Sequence, residues 1–342
     1  MSTETQNGPN VVMLMNMGGP DSEAAVAPFL TNLFLDPEIL PLPLPGFLRG
    51  LVARRIAAKR APKVIPRYRL LGGKSPQREL TERQARALEA LLNAGEHPPP
   101  APSPQGRGGA GPQWRVLVAM RYWHPFTEEA LEEAAALRPS RLVALSLYPH
   151  YSRAVGGSSV GELNRRLRAQ PLPCRVTVVD QFFCHPLFLK AHADRIGAAL
   201  GQFPGGGRDT FVLFSAHNLP EKLIRRGDPY LDQVRATVDG LLPAIGGRPW
   251  RLAFQSRSGP VKWLAPEVAE TLRSLAAEGR QQVLMAPLSF VSDQIETLYE
   301  IDMVYTEEAR AAGLDFRRTP AFNDAPDFIA LLAALARGAA GG

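Results

Sequence analysis

His217 follows a run of apolar residues at a point where a buried strand should end. The run TFVLFS (210–215) is rich in β-branched and aromatic residues, which is typical of a strand covered on both faces. Such a strand ends at loops or at a cleft, so His217 would face whatever occupies that opening. An imidazole near its ordinary pKa can accept a proton at physiological pH. The alternative is a histidine that is merely hydrogen-bonded near the surface.

Three carboxylates follow the last long apolar run, QVLMAPLSF (282–290). Asp293, Glu296 and Glu300 stand at offsets of three and seven, which predicts one face of an α-helix. A row of like charges repels itself unless solvent, cations or protons compensate. Carboxylates and imidazole without thiolates bind a divalent ion such as Fe²⁺ without trapping it. The two hypotheses are a site that passes a metal on and a solvated helix face.

Strand-like runs alternate with helical stretches, and this pattern predicts parallel sheets with helices on both faces. The predicted strands are 11–15, 115–120, 141–148, 175–180, 210–215, 251–255 and 282–290, and the predicted helices are 127–138, 185–200, 228–242 and 265–279. Ligands of open parallel sheets bind beyond the carboxyl ends of the strands. Tyr, His, Arg, Trp, Gln and acidic residues follow these runs, so we expect one large site lined by both halves of the chain.

Length and composition exclude several classes of protein. The 342 residues, 45% of them hydrophobic, suffice for two ordinary domains or one large one. Neither a signal peptide nor a membrane-spanning run is found, which predicts a cytosolic protein. Cys174 and Cys184 belong to no CxxC pattern, so a cysteine metal cluster is not expected. No GxGxxG, P-loop or GxSxG motif supports a nucleotide-binding protein or a serine hydrolase.

The formal charge of +6 is concentrated locally rather than spread over the chain. In the segment GFLRGLVARRIAAKR, apolar residues at helical spacing are bordered by cations: Leu48, Leu51, Val52 and Ile56 beside Arg49, Arg54, Arg55, Lys59 and Arg60. This pattern predicts either a packed amphipathic helix or a face for an anionic membrane or an acidic substrate, not a nucleic-acid site. The Pro- and Gly-rich segment 96–113 is expected to be a disordered surface loop.

Eight motifs together resemble ferrochelatase, in the same order and over almost the entire chain. They are NMGGPDS, FLTNLFLDPEIL, YRLLGGKSPQRELTERQ, MRYWHPFTEEALEE, LYPHYSRAVGGSSVGELNR, FSAHNLPEKLIRRGDPY, FQSRSGPVKWLAP and SFVSDQIETLYEIDMVY. The resemblance implies two similar Rossmann-like lobes around a porphyrin cleft. It also implies insertion of Fe²⁺ into protoporphyrin IX to form protohaem, the last step of haem biosynthesis.

The resemblance assigns roles to residues of this sequence. His217 would be the catalytic proton acceptor, a metal ligand, or both, with Glu296 as its catalytic partner across the cleft. Asp293, Glu296 and Glu300 would form an acidic stripe that conducts metal or protons. The porphyrin-binding residues would be Met17, Arg69, Arg121, Tyr122, Tyr148 and Trp263, with Arg69 and the basic part of 49–60 at the lip of the cleft.

The same resemblance divides the chain and names its partners. We expect an N-terminal lobe at 1–165 that includes the lip (39–70) and the loop (96–113), a C-terminal lobe at 166–320, and a terminal helix at 321–342 that packs back on the N-terminal lobe. The partners are protoporphyrin IX, ferrous iron and, peripherally, the inner membrane surface. The protein would be cytoplasmic and a monomer or homodimer.

Two departures from the family pattern bear on mechanism. Position 294 is Gln, where many relatives carry a second histidine, so a mechanism that needs two imidazoles is in doubt. The sequence lacks the cysteine-bearing extension of animal relatives, so neither an iron–sulfur cluster nor another cofactor is expected. The alternatives are a coproporphyrin III ferrochelatase, a chelatase for cobalt, and a haem-binding carrier without turnover.

Overall fold

Two parallel sheets organise the protein. The computed structural model describes residues 8–41, 44–94, 113–257 and 259–341. In these residues the first sheet has the strand order β2-β1-β3-β4 and the second β6-β5-β7-β8, and all their pairings are parallel. The strands are β1 (Asn10–Asn16), β2 (Trp114–Met120), β3 (Arg141–Ser146), β4 (Arg175–Val179), β5 (Phe211–His217), β6 (Trp250–Gln255), β7 (Gln282–Pro287) and β8 (Asp315–Arg318). The predicted α/β architecture of two Rossmann-like lobes is confirmed.

The helices connect consecutive strands and cover the sheets. They are α1 (Val26–Leu35), α2 (Gly46–Leu70), α3 (Gln77–Ala94), α4 (Thr127–Ala136), α5 (Gly156–Ala169), α6 (Pro186–Leu200), α7 (Glu221–Arg225), α8 (Tyr230–Leu241), α9 (Val268–Ala277), α10 (Thr306–Ala311) and α11 (Pro326–Gly341). A π-helix, Glu296–Tyr305, runs directly into α10. Two short 3₁₀ turns lie at Pro204–Gly207 and Leu242–Ile245.

Each sheet is buried on both faces, which explains why its strands are continuous apolar runs. In β1, Val12 and Leu14 pack in one core and Val11 and Met13 in another, because successive side chains of a strand point to opposite faces. The strands of the second sheet alternate in the same way between two further cores. Since neither face can admit a ligand, the strand ends are the remaining place for a site.

The boundary between the lobes differs from the predicted one at 165/166. Strand β4 pairs with β3 and therefore belongs to the first sheet, although it lies after that boundary. Helix α11 packs in the same core as α3, with Phe328 and Leu332 beside Leu88. The C-terminal end of the described chain thus returns to the first sheet.

Helix α2 is buried mainly beside the apolar face seen in the sequence, of which Ile56 packs in part against the core. Its buried side is a stripe of small residues, Ala53, Ala57 and Ala61, which lets the helix lie close to α1. Leu51, by contrast, is 65% exposed. Residues 42–43 of the expected lip and 96–112 of the expected loop lie outside the described residues.

Candidate active site

His217 is the last residue of β5, and hydrogen bonds hold its backbone on both sides. Its N–H donates to Oγ of Ser289 at 3.2 Å, and its carbonyl accepts from the hydroxyl of Tyr230 at 2.8 Å. That hydroxyl is 2.7 Å from Oγ of Ser289. The imidazole packs edge-on against Phe290, with 5.6 Å between the ring centroids. These contacts fix the direction in which the ring leaves the strand.

The imidazole of His217 is neutral at physiological pH. Burial lowers its pKa to about 4, so the expectation of an ordinary pKa is wrong. Nδ1 is enclosed and has no hydrogen-bond partner within the described parts of the chain. Nε2 is therefore the nitrogen that can reach a ligand, and a neutral imidazole offers such a ligand a lone pair.

Glu296 begins the π-helix and is joined to β5 through Gln255. The carbonyl of Glu296 accepts from Nε2 of Gln255 at 3.4 Å, and Oε1 of Gln255 accepts from Oγ of Ser215 at 3.1 Å. Gln255 is also the partner of His217 in the ladder between β5 and β6. One side chain, which the sequence analysis did not assign to the site, thus ties the strand of His217 to the helix of Glu296.

The carboxyl group of Glu296 holds a proton near neutrality. Burial raises its pKa to about 7, and the negative charge of Glu300 adds to the rise. The charge of Glu296 in turn raises the pKa values of Tyr68 and Tyr148, after the larger effect of their burial. Because these tyrosines belong to the first lobe, Glu296 lies where the two lobes face each other.

Met17 and Tyr148 lie together at the carboxyl ends of β1 and β3. The N–H of Met17 donates to the hydroxyl of Tyr148 at 3.2 Å. Tyr68, at the end of α2, was not predicted as a site residue, although it stands next to Arg69 in the motif YRLLGG. Met17, Tyr68 and Tyr148 therefore form the first lobe's side of the cleft, opposite Glu296.

The acidic stripe does not form as predicted, because the helix is a π-helix and begins only at Glu296. Asp293 precedes it and binds elsewhere: Oδ1 accepts from Arg318 at 3.0 Å, and Oδ2 accepts from Nδ2 of Asn323 at 2.9 Å. Arg318 lies on β8, a strand whose sequence DFRR does not show the apolar pattern of the others. The carboxylate of Asp293 therefore forms an ion pair with Arg318, and its role as a metal ligand stays a prediction.

Both carboxylate oxygens of Glu300 are also occupied. Oε1 accepts from the N–H of Ser256 at 3.1 Å and from the hydroxyl of Tyr305 at 3.0 Å, and Oε2 accepts from Oγ of Ser256. Within the described residues, no three His, Cys, Asp or Glu side chains are grouped as metal ligands. Metal binding by the predicted set of His217, Glu296, Asp293 and Glu300 stays a prediction.

A polar floor joins the lobes beside Glu296. Nε2 of Gln77 donates to Oδ1 of Asn16 at 2.9 Å and to Oε1 of Gln294 at 3.1 Å. A cavity of about 10 Å³ adjoins these groups, enough for about one water molecule. Its polar lining comes from Asn16, Gln77, Tyr148, Ser289, Ser292 and Gln294.

Arg121 and Tyr122 both bind the carboxylate of Asp36. Arg121 forms an ion pair with Asp36 at 2.8 Å, and the hydroxyl of Tyr122 donates to the same carboxylate at 2.7 Å. Tyr122 is only 2% exposed and belongs to the core under α2. Their predicted contact with porphyrin stays a prediction, and in this structure they support the wall of the site.

The remaining predicted residues lie at the rim. Arg69 is exposed and makes two hydrogen bonds to Glu23, both at 2.8 Å. Trp263 is half-buried, and a β-bridge joins it to Pro220, three residues after His217. The structure therefore brings Trp263 close to the histidine loop and leaves Arg69 on the outer lip.

Fold and site define a chelatase-like protein of two α/β lobes, with a neutral imidazole and a carboxyl group at the cleft. The same fold occurs in "sirohydrochlorin chelatase SirB from Bacillus subtilis subspecies spizizenii in complex with cobalt", with a TM-score of 0.53, 10% identity, and coverage of 97% of this chain and 96% of that one. It also occurs in CbiX, "the terminal Enzyme for Biosynthesis of Siroheme in Denitrifying Bacteria", with a TM-score of 0.52, 16% identity, and coverage of 97% and 99%.

Sequence comparison identifies the family. The ferrochelatase family model matches residues 10–340. The ferrochelatase of Geotalea daltonii is 49% identical over 331 residues, 96% of this chain and 98% of the relative. That of Synechocystis is 41% identical over 94% of this chain and 80% of the relative. The chain therefore belongs to the ferrochelatase family, and it is a lyase that inserts a metal ion into a porphyrin.

Proposed function

We propose that this enzyme inserts Fe²⁺ into protoporphyrin IX and so performs the last step of haem biosynthesis. The observation that carries the proposal is the position of two groups at one cleft: a neutral imidazole at His217 and, on the helix that Gln255 joins to the strand of His217, a carboxyl group at Glu296 whose pKa is about 7. Metal insertion needs a lone pair that meets the metal or a pyrrole N–H, and a group that takes up the released proton. These two residues supply both.

The proton balance favours Glu296 as the acceptor. Insertion of Fe²⁺ breaks two pyrrole N–H bonds and forms bonds from the ring nitrogens to iron, so two protons leave for each haem. The carboxylate of Glu296 takes them up one after the other and passes the first to water before it accepts the second. General-base catalysis is most effective when the pKa of the base lies near the working pH. Glu296, at about 7, meets this condition better than His217, at about 4. His217 serves as the lone pair that faces the macrocycle.

Iron is a substrate of this site rather than a resident cofactor. Imidazole nitrogen and carboxylate oxygen are ligands of intermediate and hard character that bind Fe²⁺ and release it. An iron–sulfur cluster ordinarily takes four cysteine ligands, and the sequence has two cysteines. We therefore propose that the enzyme works without a cluster.

The lip supports peripheral binding to the inner membrane surface from the cytoplasm. At the start of α2, Phe47 and Leu51 are 78% and 65% exposed, and the exposed cations Arg54, Arg55 and Lys59 follow. Exposed apolar side chains beside cations are typical of a segment that lies on an anionic bilayer. Among the described helices, none is long and apolar enough to cross a membrane.

The test is an anaerobic assay of the purified protein with Fe²⁺, in which porphyrin absorption reports metal insertion. We expect a higher kcat/KM for protoporphyrin IX than for coproporphyrin III. A higher value for coproporphyrin III would assign the other substrate. Tight haem binding without turnover by either porphyrin would instead identify a carrier.

A further inference from the structure

Gln77 connects the two lobes at the floor of the active site. It is the first residue of α3 and is only 5% exposed. Its side chain reaches Asn16 at the end of β1 and Gln294, which lies 217 residues away in sequence, just before the π-helix. A buried amide with two such partners orients both of them.

The direction of these hydrogen bonds follows from Thr81. Its hydroxyl donates to the carbonyl of Gln77 at 2.8 Å, so it can only accept from Nδ2 of Asn16 at 3.0 Å. Oδ1 of Asn16 is consequently an acceptor, and it also receives the N–H of Met17 at 2.8 Å. Gln77 must therefore donate through Nε2, and Gln294 must accept through Oε1.

This chain of donors leaves the amide nitrogen of Gln294 without a partner in the described part of the chain. Among the described residues, the side chain of Gln294 makes one hydrogen bond, in which its Oε1 accepts from Nε2 of Gln77. Its Nε2 therefore keeps both N–H donors for a ligand or water at the cleft, two residues from Glu296. If Gln77 did not hold Oε1, the amide could turn over and present its oxygen instead.

We propose that Gln77 is a positioning residue that fixes Gln294 as a hydrogen-bond donor toward the cleft. Gln77 touches no substrate itself and acts through Gln294. The proposal rests on metal insertion, but it does not depend on which porphyrin is the natural one.

A double-mutant cycle on kcat tests the proposal. Gln77→Leu removes the donor, and Gln294→Leu removes the group that it positions. We expect each single variant to lower kcat about tenfold, in the range of one lost hydrogen bond, with little change in KM for porphyrin. The double variant should be no slower than Gln294→Leu alone, because Asn16, the other partner of Gln77, is still held by Thr81 and by the N–H of Met17.

Gln84 provides a matched control on the same helix. It is fully buried and also bridges the lobes, since Nε2 donates to Oγ of Ser292 at 2.8 Å and to the carbonyl of Asn323 at 2.7 Å. Gln84→Leu should lower the midpoint of thermal unfolding, as Gln77→Leu should. In the double variant Gln84→Leu/Gln294→Leu, however, the reductions in kcat of the two single variants should multiply. This comparison separates positioning from a general loss of stability.

Gln77→Met, which keeps the length without a donor, replaces Gln77→Leu if that variant does not fold. Each variant is assayed with protoporphyrin IX and with coproporphyrin III. The double-mutant cycle can therefore still be measured if the wild type prefers coproporphyrin III as its substrate. The proposal would be overturned if the reductions in kcat of Gln77→Leu and Gln294→Leu multiplied in the double variant. It would also be overturned if Gln84→Leu showed the same coupling energy with Gln294→Leu as Gln77→Leu does.

Discussion

Burial shifts the two ionisable groups of the site toward their neutral forms, and this decides their roles. It lowers the pKa of His217 to about 4 and raises that of Glu296 to about 7. At neutral pH the imidazole is uncharged, while the carboxyl group is close to half protonated. A small change of pH near 7 therefore changes the protonation of Glu296 and leaves His217 uncharged.

His217→Ala should reduce kcat for metal insertion by about 10²-fold or more, since a lone pair that faces the macrocycle is lost. The fold should persist, because the contacts to Ser289 and Tyr230 involve the backbone of His217. Steady-state kinetics and circular dichroism measure the two effects. A variant that keeps more than about a tenth of wild-type turnover would exclude this role.

The pH dependence of kcat should follow Glu296. If its carboxylate is the base, activity rises as pH increases through about 7. Glu296→Gln should abolish this rise and lower kcat more than porphyrin affinity.

The stability of the protein should depend on the pH through Glu296 in the opposite sense to the activity. The pKa of Glu296 in the folded protein lies above the ordinary 4.5, so the wild type loses this contribution to stability as pH rises from about 4.5 to 7. At pH 8 the variant should be more stable by about 1–3 kcal/mol, the lower value allowing for solvent in the cleft.

The contact between Ser256 and Glu300 explains how the π-helix is held against the second sheet. Ser256 follows β6 and has a φ of +72°, a conformation that costs a non-glycine residue free energy. This conformation lets both its N–H and its hydroxyl reach Glu300. The loop at Ser256 thus fixes Glu300, and Glu300 fixes the position of Glu296 one turn earlier in the π-helix.

Glu300→Gln should therefore keep most activity, because an amide can still accept from Ser256 and Tyr305 through its oxygen. We expect the KM for metal to change less than about threefold, and the midpoint of the pH profile to fall because the charge that raises the pKa of Glu296 is gone. Glu300→Ala should lose much more activity. A large rise in metal KM for Glu300→Gln alone would instead identify Glu300 as a metal ligand.

Helix α2 allows a test of the lip that leaves the core intact. Replacing Arg54, Arg55 and Lys59 with Gln should weaken binding to anionic vesicles by about 1 kcal/mol per cation, and salt should reduce the difference. Arg60 is left unchanged, because it stacks over Phe34 at 5.4 Å. Co-sedimentation measures the binding, and the control replaces exposed cations elsewhere: Arg208, Arg235 and Arg273. Equal binding of the two triple variants would show that α2 is only a packed helix.

The sheets could be predicted from sequence because their strands are continuous apolar runs. The end of one such run brought His217 into the prediction, whereas Met17 and Tyr148 entered it through the resemblance to ferrochelatase. Strand β8 was missed, since its sequence DFRR has a single apolar residue. Hydropathy and charge do not distinguish a π-helix from an α-helix, so the spacing of Asp293, Glu296 and Glu300 was misleading. The bridge from Gln77 to Gln294 joins residues 217 positions apart, and no local pattern reveals it.

The protein as a whole should be sensitive to acid through histidines outside the site. His192 is 3% exposed, its ring centroid lies 4.7 Å from that of Phe188 and 4.6 Å from that of Phe322, and neither ring nitrogen has a partner in the described residues. Burial lowers its pKa to about 3 and that of His150 to about 3 as well. Both folded values lie below the ordinary 6.5, so the unfolded chain binds protons first.

The contribution of these two histidines to stability should therefore be complete above pH 6.5 and fall as pH decreases toward 3. His192→Phe removes one of the two histidines that take up a proton when the chain unfolds, and it keeps an aromatic ring between Phe188 and Phe322. Compared with the wild type, its free energy of unfolding should improve by about 2–3 kcal/mol on going from pH 7 to pH 4.5. Because the same variant is compared at two pH values, any change in packing cancels. Urea unfolding measures the effect, with the exposed His124 replaced by Phe as the control. Equal behaviour of the two variants would show that burial of His192 does not set the acid sensitivity.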